Sequence, residues 1–474
     1  MSVINNAKWV TVSQLFRIIT QIISITVLTR FIEPSEFGIL ALATIITNFA
    51  LVIKDLGLSS AIIQKKELTN ALKNTVFWLN ILFGFSLYIL IIILSKPISN
   101  YYEQNKLINV LWLLGTIFPI SSISALHQAL LERDSRFKII AKIEIISSLF
   151  GVVIALILAI NNYGVYSIVY QLILTQLISS ILILINKKWV PSFTFNKKQI
   201  KSILEFSSNI TIFNIINYFS RNADNIIVGS TFSTTILGVY NLAYRIMLFP
   251  LQSVTFIANR SLYPIMSRKQ ENNKELKKLY LKAIMVVMLI TTPMMMGLAY
   301  LRAEFVDIFF SENWEYLSEL LLWLSLTGIL QSAVSTTGAV FMAKNRTRIL
   351  LLLGIFGTTL NLIAFFIGSQ FSIIFFAQCY FIANLINLLP PLYCAVKLLG
   401  GGINDILKIL FSTLLNSILM IIIIYIFNYL FYIENVYFRF SINVFIGFLS
   451  YIIILFILNN EAKNIIMSTL KIKR

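Results

Sequence analysis

One histidine and two cysteines in 474 residues leave little with which to bind a metal or arm a nucleophile. Charge is scarce too, at 12% against the roughly 25% usual in soluble chains. Acids are scarcer than bases, with 20 Asp and Glu against 38 Lys and Arg. Cys379 and Cys394 fall on one expected helix, about 22 Å apart along its axis, so they neither pair nor share a metal. The chain has no glycine-rich phosphate loop with a following lysine, no paired histidines on a helix face and no Cys/His nucleophile arrangement. It is therefore not expected to be an enzyme, and no cofactor is expected. What fills the sequence instead is apolar: 58% of residues are hydrophobic and the mean hydropathy is +0.84. At about 20 apolar residues per crossing, that is material for a dozen or more transmembrane helices. The fold class that follows is an all-α, polytopic membrane protein.

Apolar stretches broken by short polar punctuation place spans at 9–31, 38–54, 75–95, 108–130, 143–160, 164–185, 208–229, 236–258, 280–301, 317–342, 349–368, 372–396, 407–430 and 439–458. Fourteen spans put both termini on one side. With the N-terminus cytoplasmic, 29 of the Lys and Arg residues fall in inner loops or tails. Only Arg30, Lys96, Lys106, Arg302 and Arg439 fall outside. This positive-inside bias also tests the span count, because one helix more or less would scramble the alternation downstream. Glu304, Asp307, Glu312 and Glu315 cluster in the longest outer loop, 302–316. The net charge of +18 is thus a topology signal that also meets anionic inner-leaflet lipid, and no nucleic-acid partner is expected. The basic inner segments 186–207 and 259–279 are expected to lie at the interface. The first helix has the character of a retained span, without a small-residue cleavage site.

Shifted by 200 residues, Gly38-Ile39-Leu40-Ala41-Leu42-Ala43 lies over Gly238-Val239-Tyr240-Asn241-Leu242-Ala243, keeping Gly, Leu and Ala in register. Gln21 then lies over Arg221 and Ser24 over Asp224. The shift carries span one onto span seven in the same orientation. It predicts two six-helix lobes related by a parallel repeat, over 1–200 and 201–398. Two additional helices and a cytoplasmic tail follow over 399–474. Carriers of such a build place their path between the halves.

Polar residues inside the spans are concentrated. Span one has Gln14, Arg17, Gln21 and Ser24 at helical spacing on one face. Span seven has Asn214, Asn217, Tyr218, Arg221, Asp224 and Asn225, and span eight adds Asn241, Tyr244, Arg245 and Gln252. An arginine near mid-bilayer costs about 2.5–3.5 kcal/mol on insertion scales, so these helices are expected to line a wet, cationic cavity. Guanidinium groups hold phosphate oxygens through paired donors, which suits a diphosphate or an acidic sugar. Two alternatives stay open at this point. Arg221 and Asp224, three residues apart, could simply neutralise each other, and Asp224 could instead serve a coupling proton or cation. Lys54 and Asp55 are read as a boundary pair, and His127 as a polar cap at the inner end of span four.

Several stretches carry a family resemblance. Leu28-Thr29-Arg30-Phe31 with Pro34-Ser35-Glu36-Phe37-Gly38, and the run from Asp55 to Lys65, resemble polysaccharide flippases of the multidrug/oligosaccharidyl-lipid/polysaccharide exporter superfamily. The segment from His127 to Asp134 with Arg136-Phe137-Lys138 is similar to the colanic/teichuronic acid exporter branch. So are Ser220 to Asn225 and Leu237 to Arg245. The resemblance is densest over 28–270. It implies two lobes around a cavity that opens alternately to either side of the bacterial cytoplasmic membrane. It also implies a cargo of undecaprenyl-diphosphate-linked oligosaccharide. Cations would meet the diphosphate, and Asn, Gln and Tyr the glycan, while the lipid tail stays in the bilayer. The first helix lacks the acid of many cation-coupled multidrug members, which leaves a coupling proton or sodium ion, and other glycan-assembly proteins, as open partners. A small-molecule antiporter of the same fold and a membrane glycan polymerase or ligase are the rival readings.

Overall fold

The computed structural model describes residues 3–55, 62, 68–186, 189–193, 215, 218–219, 221–268 and 271–458. Its elements are helices: α1 (Val3–Leu28), α2 (Pro34–Asp55), α3 (Asn70–Tyr101), α4 (Lys106–Gly115), α5 (Ile117–Arg133), α6 (Phe137–Ile160) and α7 (Val165–Ile185). After a helical stretch over 221–231 come α8 (Thr234–Arg268), α9 (Asn273–Tyr300), α10 (Arg302–Phe309), α11 (Leu317–Val334) and α12 (Thr337–Ala343). The last four are α13 (Thr347–Gly368), α14 (Ile373–Leu398), α15 (Ile403–Leu430) and α16 (Val436–Leu458). Among the described residues, eleven helices are long and apolar enough to cross a membrane, α4 with α5 and α11 with α12 each counting as one. Every one coincides with an expected span. Of the other three, spans one and eight are the helices α1 and α8, and span seven is described only in part.

Helix ends follow local chemistry. Thr69, Asn272 and Ser372 accept the backbone N–H three residues on and cap α3, α9 and α14. The helices overrun the expected spans because hydropathy marks the bilayer boundary, whereas hydrogen bonding carries the helix on into polar sequence. Thus α9 begins at Asn273 and α8 continues to Arg268, so much of the inner segment 259–279 is helix rather than loop. The outer loop 302–316 likewise holds α10, whose Phe305 and Phe309 pack on Phe440 of α16 at 6.4 and 5.9 Å between ring centroids.

The chain divides into two compact units, Met1–Gly238 and Val239–Arg474, so the first turn of α8 belongs to the first unit. The repeat-based boundary at 200 lies outside the described residues. In the first unit α6 packs on α7, α3 on α5, α5 on α7, and α1 on α6. In the second, α13 packs on α14, α9 on α11 and α11 on α14, with α15 on α9 and α16 on α15. Numbered by span, the pairs 5–6, 3–4 and 4–6 of the first unit recur as 11–12, 9–10 and 10–12 of the second.

One backbone carbonyl left without its helical donor is satisfied by the last helix. Pro293 within α9 has no N–H for the carbonyl of Leu289, four residues back. The buried hydroxyl of Tyr451, on α16, donates to that oxygen at 2.9 Å.

Candidate functional site

Helix α1 carries two polar faces, not one. Ser13, Thr20 and Ser24 are buried. The Thr20 hydroxyl meets that of Ser148 on α6 at 3.2 Å, and Ser24 donates to Gln171 Oε1 on α7 at 3.2 Å. Ser24 therefore belongs to the helix seam. Gln14, Arg17 and Gln21 stand on the other face, Gln14 half-buried and the other two exposed. Arg17 Nη2 donates to Gln14 Oε1 at 2.5 Å, which orients the guanidinium along the helix and leaves its other donors unspent on Gln14.

Span seven is described from Tyr218 onward apart from 220, together with residue 215; Asn214 and Asn217 lie outside the described residues. Tyr218 is half-buried, donates to the carbonyl of Ile45 on α2 and packs its ring 5.6 Å from Phe49. Arg221 is exposed, whereas Asp224 and Asn225 are buried. The carboxylate of Asp224 accepts the Asn225 backbone N–H at 2.7 Å and its amide at 3.1 Å. Arg221 and Asp224, three residues apart, differ in burial. One points out of the helix packing and the other into it.

In the second unit Asn241, Tyr244 and Arg245 are half-buried on α8, and the Tyr244 ring stacks at 6.1 Å on that of buried Tyr240. The side chain of Gln252 lies outside the described residues.

Lys54 and His127 are both buried. Lys54 is 8% exposed and donates to the Ser121 hydroxyl on α5; the side chain of its neighbour Asp55 lies outside the described residues. The signal available in sequence was the hydroxyl run Ser121, Ser122 and Ser124 across from it. His127 is 3% exposed, between the rings of Phe77 and Trp189 at 6.1 and 5.7 Å. Trp189 belongs to a strap held on α3, where Asn74 pairs with Ser192 through both its oxygen and its amide.

The Pro34–Gly38 motif is explained by what surrounds it. Pro34 opens α2, where its missing N–H costs nothing. Glu36 pairs with Lys106 at 3.0 Å and lies over Gly164, the residue before α7, whose φ is +55°. A Cβ on Gly164 would stand 2.1 Å from the Glu36 carboxylate. Gly38 and Gly238 adjoin each other's helix starts, so closely that neither position has room for a Cβ.

Together these features define a polytopic, all-helical membrane protein with polar groups inside its spans. Its fold is that of a solved lipid II flippase, MurJ, in an inward closed conformation: the TM-score is 0.75 at 18% identity, over 94% of this chain and 98% of that one. Residues 27–319 match the family described as polysaccharide biosynthesis protein, and the chain belongs to that family. It is 28% identical to an uncharacterized membrane protein in the cps region of Klebsiella pneumoniae, over 97% of this chain and 96% of the other. It is 27% identical to the teichuronic acid biosynthesis protein TuaB of Bacillus subtilis, over 73% and 72%.

Proposed function

We propose that the protein is a flippase that moves a lipid-diphosphate-linked oligosaccharide from the inner to the outer leaflet of the bacterial cytoplasmic membrane, for surface polysaccharide synthesis. It works as a carrier, not a catalyst, and both termini face the cytoplasm. The observation that carries this reading is the exposure of Arg17 and Arg221 on membrane helices of a polysaccharide-biosynthesis family member. A guanidinium kept out of dry packing inside a membrane segment is available to an anionic cargo, and its paired donors match a diphosphate. Gln14, Gln21, Asn214, Asn217, Tyr218, Asn225, Asn241 and Tyr244 supply neutral donors and acceptors for glycan hydroxyls, and Arg245 a further cation. Alternating access about the cargo would let the lipid tail remain in the bilayer throughout.

Asp224 is the candidate for coupling to a proton or sodium ion, since a buried carboxylate changes charge with occupancy. The deciding experiment deletes the gene and asks which leaflet holds the lipid-linked oligosaccharide. Accumulation on the cytoplasmic side, reversed by the wild-type gene, is expected. An unchanged leaflet distribution sinks the proposal, and altered chain length without precursor build-up would favour a polymerase instead.

A further inference from the structure

Helices α1 and α6 pack side by side within the first unit, and two contacts fix their register. Lys138 Nζ lies 5.4 Å from the centre of the Trp9 ring, and the Thr20 and Ser148 hydroxyls meet at 3.2 Å. Between those contacts stand Arg17, three residues before Thr20, and Glu144, four before Ser148. At 1.5 Å per residue both lie about 5 Å to the N-terminal side of the hydroxyl contact, at one depth. Hydropathy starts span five at 143 and leaves Glu144 on its boundary. The register instead carries it about 9 Å past the level of Trp9, alongside the polar residues of span one.

The two charged residues also share a side of the helix seam. Ser24 of α1 donates to Gln171 of α7, and a Cβ on Gly151 of α6 would stand 2.1 Å from the Thr175 hydroxyl oxygen on α7. Arg17 is seven residues before Ser24, and Glu144 is seven before Gly151, so each continues the α7-facing stripe of its own helix by two turns. Arg17 is exposed there and Glu144 half-buried. The bond from Arg17 to Gln14, one turn back, draws the guanidinium towards the level of Glu144. Lys142 is exposed and about 200° round α6 from Glu144, away from this stripe.

We propose that Glu144 is a positioning residue that sets how tightly Arg17 holds a diphosphate, weakening capture in favour of release. The choice of diphosphate rests on the flippase reading. A carboxylate and a guanidinium at one depth on adjoining membrane helices attract each other more strongly than they would in water. A phosphate arriving at Arg17 competes with Glu144 for the same donors, and the carboxylate reclaims them when the phosphate leaves.

The test uses the full chain, purified in detergent, with farnesyl diphosphate as the probe. Glu144→Gln should bind the probe about fivefold more tightly than wild type and should slow glycan-lipid translocation in cells. Glu144→Asp, which keeps the charge, should bind as wild type does. Arg17→Gln should bind more weakly, and adding Glu144→Gln to it should leave the affinity where Arg17→Gln sets it, because the effect passes through the guanidinium. An equal gain in both backgrounds overturns the proposal, since the carboxylate would then merely repel anions. Unchanged binding in Glu144→Gln overturns it too. So does a pH dependence of translocation that Glu144→Gln removes in both backgrounds, which would mark a coupling acid.

Thermal midpoints identify a variant that fails to fold, and a crosslink then decides. In a chain carrying Cys379→Ser and Cys394→Ser, the pair Arg17→Cys and Glu144→Cys should be joined by a short bifunctional maleimide, and a folded protein that is not joined ends the proposal. Unresponsive binding, in a protein whose deletion strands glycan lipid in the cytoplasmic leaflet, removes this inference alone. The expected binding pattern, in a protein whose deletion leaves the leaflets unchanged, supports Glu144 as described and removes the flippase reading.

Discussion

A guanidinium within a membrane helix has two low-energy fates: a partner in the packing or a wet surface. Arg17 and Arg221 are both exposed, and they differ in the company they keep, Gln14 for the one and outward exposure beside an inward Asp224 for the other. Arg17→Gln and Arg221→Gln should each lower glycan-lipid translocation at least about tenfold at unchanged membrane level, the loss of roughly one charge-assisted contact. Arg→Lys should recover part of it, since the charge returns without the paired donors. Transport that stays normal in both Gln variants removes these residues from the cargo path. Composition and hydropathy were enough to single the arginines out. They could not separate Ser24 from Gln21, or turn Lys54 inward, because the deciding partners are Gln171 and Ser121, supplied by helices remote in the chain.

Single elements are held by contacts that substitution can isolate. Gly164 and Gly400 both have positive φ, +55° and +73°, but a Cβ would meet the Glu36 carboxylate at the first and nothing within 4 Å at the second. Each alanine substitution carries a backbone cost of about 1–3 kcal/mol, and Gly164→Ala adds the displacement of the Glu36 carboxylate. Gly164→Ala should therefore melt lower than Gly400→Ala, and equal melting points would show that the seat contributes nothing. At Pro293 of α9, Tyr451→Phe should cost about 1–3 kcal/mol by stranding the Leu289 carbonyl. Adding Pro293→Ala should recover much of that, because α9 can then satisfy its own carbonyl. Thermal unfolding of the four-member cycle checks this, and additive losses would falsify it. Hydropathy located both helices. It could not reveal the bond between them, which depends on where a distant tyrosine comes to rest.

Over the whole molecule, the alternation of basic loops makes a topology that labelling can check. Single cysteines at Lys106 and Arg302 should react with an impermeant reagent on intact cells, whereas those at Arg136 and Lys344 should react only after permeabilisation. Any exchange between the two sets would break the fourteen-span assignment at that point. The span pattern was readable because bilayer thickness imposes a length on every crossing. The expected repeat matches itself at Gly38 and Gly238, where backbone approach leaves no choice of residue.

The hydroxyl that Tyr451 lends to α9 bears on how far this carrier can be pared down. A truncation ending with the twelfth span would preserve the first twelve spans, yet it would strip the ninth of the donor that compensates its imino acid. The closing helical pair is thus no dispensable trailer: a minimal carrier has either to retain it or to restore an ordinary amide at position 293.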